Sequence, residues 1–205
     1  MAFALQRQEI FDKAGLHLFA IGLIERHYQG SIMAERRILG AVLAGGRSSR
    51  FGSDKALAVM QDGRTLLDHA IAGLAPHVEQ VVICGRAGGL ADRPAPDMGP
   101  LGGLNAALHH AQAHEFAGIL TTGCDMPVYP ADLPARLIGE QAAILEGQQL
   151  LGWWPASLAN ALDAHLAEAN NRSIYGWLDR IGARVVTVPG LALPNINRPE
   201  DLAAL

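Results

Sequence analysis

"ILGAVLAGGRSSRFGSDKAL" runs from Ile38 to Leu57 and changes character halfway. Ile38–Leu43 is a short apolar run with the length of a buried strand. The residues that follow crowd Gly45, Gly46, Arg47, Ser48, Ser49, Arg50 and Lys55 into one loop. Paired glycines let the backbone turn tightly and bring N–H groups close to an anion. The serines add hydroxyl donors, and Arg47, Arg50 and Lys55 add positive charge. The loop matches neither GxGxxG nor GxxxxGK[ST]. Taken alone it supports two readings equally, a phosphate cradle and a tight turn with solvated charges.

Working outward, strand-like and helix-like segments alternate. "TLLDHAIAGLA" (65–75) has apolar residues at helical spacing with Thr65 as a cap, and "QVVICG" (80–85) reads as a second strand. "LGGLNAALHHAQAH" (101–114) is a second helix and "AGILTTGC" (117–124) a third strand. A short helix over 131–140 is started by Pro130, and short strands lie in "AAILE" and "QQLLGWW". "PASLANALDAHLAEA" (155–169) reads as a helix with Pro155 in its first turn. A helix over 173–182, a strand in "ARVVTVPG" and a closing helix over 198–205 complete the chain. This alternation predicts an α/β fold, a Rossmann-like three-layer sandwich whose mostly parallel sheet has helices on both faces.

In such sheets ligands bind at the carboxyl ends of the strands, so the residues following each strand carry the functional reading. After the second strand, Asp97 stands just before "MGPLGGL". It reads either as an acceptor for a base or ribose or as a solvated turn residue. After the third, "TTGCDMP" ends in Asp125. A carboxylate there suits Mg²⁺, which takes oxygen ligands and phosphate partners; the other reading is a turn Asp before Pro127. Three successive strands thus end in groups suited to a phosphate–metal ligand.

Composition narrows the class. Half of the 205 residues are hydrophobic, enough for a substantial core, and a net charge of −4 does not favour nucleic acid or an anionic membrane. Cys84 and Cys124 are the two cysteines, far apart, and read as reduced cytosolic thiols. Cys124 reads as a small buried residue, since no His lies near it in sequence. His109, His110 and His114 read as a polar helix face, because a helical His pair needs further ligands to hold a metal. Trp153-Trp154 reads as core on a short strand, the alternative being an exposed interaction patch. No run approaches a membrane span, and "LHLFAIGLI" (16–24) lacks the flanks of a signal peptide. The α/β pattern begins at Ile38. Residues 1–37, with a helical pattern over 4–27, read as an appendage or start-site artefact, or as an ordinary N-terminal helix on the domain formed by residues 38–205.

"LAGGRSSRFGSDKAL" resembles the LAGGxSxRMGxDK signature of nucleotidyltransferases. "GPLGGL" is similar to the GPLAG segment, "CDMP" to the CDxP turn and "PNINRPEDL" to the C-terminal NxNTPEDL of the same proteins. Together, from Ile38 to the C-terminus, they resemble the molybdenum cofactor guanylyltransferase family (MobA type). The resemblance implies transfer of GMP from GTP to the terminal phosphate of molybdopterin with release of pyrophosphate, using Mg²⁺, in the cytoplasm. Transient contact with other cofactor-biosynthesis proteins or recipient enzymes follows from the same resemblance. By motif, it implies that Leu43, Ala44, Gly45 and Gly46 contact the nucleotide and that Lys55 reaches its phosphates. Arg50 would neutralise the leaving pyrophosphate, Asp97 bind the nucleotide, Asp125 hold Mg²⁺, and Asn195 and Asn197 lie on the acceptor side.

Departures from the pattern are Phe51 for Met, Cys84 where Asn occurs, Gln148-Gln149 for His-Pro, and Arg198 for Thr. Asp97 also lies unusually close to Pro100. Cytidylyl transfer to the same cofactor, other nucleotidyl transfer, and a non-catalytic nucleotide-binding module are the competing readings. "GSDK" and "GPLGGL" favour the guanylyl type.

Overall fold

Strand β1 (Ile38–Leu43) is buried along its whole length, as an apolar run inside a parallel sheet requires. The structure, a computed structural model, describes residues 36–45, 51, 54–126, 128–168, 173–191, 193, 195–196 and 198–204. After β1 come a 3₁₀ turn (Lys55–Leu57), α1 (Leu66–Leu74), β2 (Gln80–Cys84), α2 (Pro100–Ala113) and β3 (Gly118–Gly123). The second half contains α3 (Leu133–Leu137), β4 (Ala143–Leu145), β5 (Gln148–Pro155), α4 (Ala159–Glu168), α5 (Ile174–Ile181) and β6 (Arg184–Val186). The expected helix over 4–27 lies outside the described residues; of the expected appendage, 1–37, Arg36 and Arg37 are described, and Ala117 N donates to Arg37 O (2.8 Å) at the entry to β1.

The six strands form one sheet in the order β2-β1-β3-β5-β4-β6. Strand β1 runs parallel to both β2 and β3, and β6 parallel to β4. Only β5 is reversed, pairing antiparallel with β3 and β4. Its reversal follows from the short connection at Glu146-Gly147, since a parallel return would need a longer crossover.

Alternation along the strands divides the core into two layers. Leu39, Ala41 and Leu43 face the layer of α2, α4 and α5, while Ile38 and Val42 face that of α1 and α3. Ile119 and Leu120 divide in the same way. So do the adjacent Trp154 and Trp153, both about fully buried, one ring in each layer. Each indole finds an acceptor: Trp153 Nε1 donates to Gly139 O (2.9 Å) and Trp154 Nε1 to Thr121 Oγ1 (2.9 Å). The pair is core. The three-layer arrangement with helices on both faces is the one predicted.

Local signals explain the element ends. Thr65 and Asp68 form a reciprocal capping box at the start of α1, which stabilises a helix by about 1 kcal/mol. Helix α2 is buried nearly all round because the sheet covers one side and α4 the other; Leu101, Leu104 and Leu108 are fully buried, each contributing about 1.5–3 kcal/mol. Two expectations need correction. Pro155 does not open a helix: it ends β5 opposite Gly118, and Ala156 N continues the sheet pairing to Ala117 O (3.0 Å). Helix α4 therefore begins only after the 3₁₀ turn Ala156–Leu158. The closing segment is a 3₁₀ helix, Pro199–Ala204, rather than an α-helix.

Candidate active site at the carboxyl ends of the strands

The ends of β1, β2 and β3 lie side by side, and the loops leaving them converge. Ala44 N donates to Cys84 O (3.1 Å), which carries the β1–β2 pairing one residue past the strand. That N–H is spent, so any contact from Ala44 to a ligand runs through its carbonyl. The two loops then touch backbone to backbone at Gly45 and Gly85. A Cβ on Gly85 would lie 2.6 Å from Gly45 Cα, and Gly85 has φ +77°, so both space and conformation demand glycine there.

Leu43, Gly45, Gly85, Asp92, Gly99 and Pro100 line the cleft beneath this contact. Gly99 adopts φ 68°, ψ −159°, a region nearly reserved for glycine, and delivers the chain to Pro100 at the start of α2. No side chain caps that helix start. The positive end of α2 is thereby presented at the cleft, an arrangement that suits an anion.

Lys55 and Asp125 meet across the mouth of the site, with Nζ 3.9 Å from Oδ2. Their side chains are 15% and 30% exposed, screened yet reachable. Lys55 begins the 3₁₀ turn that Asp54 caps, Asp54 Oδ1 accepting from Ala56 N (3.2 Å). Asp54 is in turn held by both arms of Arg86, Nη1 to Oδ1 at 2.7 Å and Nη2 to Oδ2 at 2.5 Å. The Arg86 hydrogen bonds are the main reason the Asp54 carboxyl sits below the usual carboxylate range. Asp125 follows β3, and its Oδ1 lies over Gly123, where a Cβ would come within 2.5 Å.

The C-terminal motif joins the same place. Ile196 N donates to Asp125 O (2.9 Å), and Ile196 packs with Phe51 and Leu66 in a small buried cluster. This accounts for Phe51: an apolar side chain of that size closes the cluster and ties the first loop to the last. Asn195, beside Ile196, is exposed next to the Asp125 turn.

Of the residues expected from sequence, the structure brings together Leu43, Ala44, Gly45, Lys55, Asp125 and Asn195. Gly46, Arg50 and Asn197, with Arg47, Ser48 and Ser49, lie outside the described residues. Asp97 is placed differently. It is exposed in the loop before α2, with φ 61°. The carboxylate lining the cleft is Asp92, whose pKa is raised first by burial and further by the Asp97 charge, against a hydrogen bond from the Met98 backbone. Leu90 explains the position. It rejoins the edge of β2 through Leu90 N→Ile83 O (2.8 Å) and Gly85 N→Leu90 O (2.9 Å), and Arg93 N then reaches Gly102 O (3.2 Å). The intervening Asp92 is drawn against the first turn of α2, where a Cβ on Gly102 would lie 2.9 Å from its Cγ. Sequence reasoning also passed over Arg86, whose only signal was a basic residue directly after the β2 glycine.

The thiols are not nucleophiles. Burial, with a nearby carboxylate, pushes Cys84 and Cys124 up to about 12, so both stay protonated at neutral pH. Among the described residues no three His, Cys, Asp or Glu side chains group to hold a metal. His109 is bound to Asp163 (Nε2–Oδ2 2.8 Å), and His110 stacks on His114 with ring centroids 4.1 Å apart. The Asp125 carboxylate beside a lysine suits a hard cation that arrives with phosphate oxygens and water as its other ligands. Among the described residues no helix is long and apolar enough to cross a membrane.

The family model described as a MobA-like NTP transferase domain matches residues 40–185. The chain is 36% identical to a molybdenum cofactor guanylyltransferase from Rhizobium leguminosarum bv. trifolii, over 81% of this chain and 90% of that one. It is 33% identical to a molybdenum cofactor guanylyltransferase from Sinorhizobium fredii, over 78% of this chain and 87% of that one. A crystal structure of the molybdopterin-guanine dinucleotide biosynthesis protein A from Archaeoglobus fulgidus shares the fold, with a TM-score of 0.62 at 22% identity, over 81% of this chain and 95% of that one.

Proposed function

Since this chain belongs to the family of MobA-like NTP transferases, we propose that it transfers GMP from GTP to the phosphate of a molybdopterin-type cofactor, forming the guanine dinucleotide. An oxygen of the acceptor phosphate attacks the α-phosphorus of GTP. The new P–O bond forms as the bond to the β-phosphate bridging oxygen breaks, and pyrophosphate leaves. The acceptor oxygen is already ionised near neutral pH, so no protein nucleophile is needed, in keeping with the protonated thiols. The protein's task is to position phosphates and offset their charge.

The observation that carries this reading is the meeting of Lys55 and Asp125 at the ends of β1 and β3. Lys55 holds the phosphates, and Leu43, Ala44 and Gly45 shape the nucleotide bed. The uncapped start of α2 adds positive potential. We assign the base-side carboxylate to Asp92: guanine presents N1–H and N2–H side by side, two donors for one partly desolvated carboxylate, whereas the pairing edges of adenine and cytosine each offer one amino group. When bound, a divalent cation, Mg²⁺ in this reading, would be held by Asp125 and phosphate oxygens and would neutralise charge on the transferring phosphate. Arg50 would face pyrophosphate, and Asn195 and Asn197 the acceptor. Residues 38–205 form the catalytic domain and residues 1–37 an appendage. The reaction belongs to the cytoplasm, with transient contact to other cofactor-biosynthesis proteins or recipient enzymes.

Calorimetric titration with GTP, CTP and ATP in one Mg²⁺ buffer, followed by pyrophosphate release with molybdopterin, tests the proposal. GTP preference with turnover supports it. CTP preference moves the protein to cytidylyl transfer, and binding without turnover points to a non-catalytic module.

A further inference from the structure

The turn that presents Lys55 packs into the layer of α1 and α3 through one residue, Ala56, while Asp54 and Lys55 lie outside that cluster. It is a three-residue 3₁₀ turn with two backbone bonds, Leu57 N→Asp54 O and Ala58 N→Lys55 O, both 3.0 Å. Such short turns have poor hydrogen-bond geometry and depend on their surroundings. Its cap, Asp54, has both carboxylate oxygens engaged by the Arg86 fork. Arg86 is rooted firmly, directly after the Gly85 whose N–H is bound to Leu90 at the edge of β2. A continuous connection therefore runs from the sheet through Arg86 and Asp54 to Lys55 and across to Asp125.

We propose that Arg86 is a positioning residue for this enzyme: its two-armed grip on Asp54 straps the Lys55 turn to the sheet and sets Lys55 opposite Asp125. The inference rests on the reading that Lys55 acts on the nucleotide phosphates. Stability does not account for the pair, because Asp54 is 45% exposed and ion pairs of that kind contribute about 0–1 kcal/mol. A bidentate arginine–carboxylate contact instead supplies geometry. It also occupies the Asp54 charge. Of the two carboxylates beside Lys55, Asp125 alone is left to attract the lysine and a cation.

The test uses the full chain with Arg86→Ala, Asp54→Ala, both together, Arg86→Lys, and Arg86→Ala on a Lys55→Ala background, with thermal midpoints to verify folding. Either single alanine lowers kcat by about tenfold with a smaller change in KM for GTP, since misplacing a catalytic group is costly without loss of binding. The double variant is no worse than the worse single one, because both remove the same connection. Arg86→Lys recovers only part of the loss, one ammonium being unable to grip both oxygens. On the Lys55→Ala background, Arg86→Ala adds nothing. Additive losses, or an undiminished Arg86 effect without Lys55, would overturn the proposal and put Arg86 on the phosphates directly. A second readout needs no turnover. Lys13 and Lys55 are the chain's two lysines, so amine acylation mapped by mass spectrometry reports Lys55 against an internal standard. Its labelling rises several-fold in both alanine variants, and an unchanged rate overturns the strap. Wild-type protein that turns over no GTP, with labelling that responds as expected, refutes the guanylyltransferase reading and leaves the strap standing.

Discussion

Two carboxylates on opposite parts of the domain make an instructive pair. Asp163 on α4 is saturated: Oδ1 accepts from Asn105 Nδ2 at 2.7 Å and Oδ2 meets His109 Nε2 at 2.8 Å. Burial raises its pKa, but those two hydrogen bonds and the nearby charges outweigh it and the net shift is downward. Asp125 at the end of β3 faces Lys55 at 3.9 Å, beyond hydrogen-bond range. The first group closes a contact between α2 and α4 and has nothing left to offer. The second is held in place by its backbone, and under the proposed function its oxygens serve a ligand. The difference is one of support: helix walls bring partners into full contact, whereas loops at strand ends hold charges apart around a cleft.

Substitutions can break this contrast or sharpen it. Asp125→Asn should have the largest effect, lowering metal-dependent turnover at least about 100-fold while the thermal midpoint stays near wild type. Normal turnover would mean that the two carboxylates do not differ in kind. Lys55→Ala should weaken GTP binding and reduce kcat/KM by about 10- to 100-fold, read from steady-state kinetics and calorimetry. Gly85→Ala forces a Cβ against Gly45 in a left-handed conformation and should cost about 1–3 kcal/mol in a urea titration, with loss of nucleotide affinity.

Asp163→Ala tests the other side. It strips the fully buried Asn105 and the partly exposed His109 of their acceptor and should cost about 1–3 kcal/mol of stability while leaving kcat for GTP unchanged. A fall in kcat would erase the distinction. The smallest effect is on pH dependence. His110 is held below its ordinary 6.5 by burial and by His114, and His165 by burial and Arg180 against an opposing Glu168. Between their folded values and 6.5 the unfolded chain binds more protons, so stability falls as pH is lowered through that window. Urea midpoints at pH 7.5 and 5.5 should differ accordingly, and His110→Gln should reduce the difference.

Much of this is legible in the sequence. Apolar runs marked β1 and β3, the T-x-x-D pattern at Thr65 marked the start of α1, and the motifs after the strands marked Lys55 and Asp125. Pro155 misled because a proline suits the first turn of a helix and also the end of a strand; the pairing of β5 with β3 decided between them. The sequence reading names Asp97 and passes over Asp92, since two carboxylates in one loop look alike along the chain; the one lining the cleft is Asp92. Their placement depends on Leu90 rejoining β2, a contact that leaves no periodic signal.

The sequence by itself determined the layers, because side-chain period dictates which face of each strand and helix is buried, and it marked the loops at the strand ends as the candidate site. Tertiary structure alone decided how those loops meet. The reversal of β5, the placement of Asp92 in the cleft, the Arg86–Asp54 grip and the spacing of Lys55 from Asp125 all join residues remote in the chain. Such distances are set by the packing of whole elements, and no local pattern encodes them.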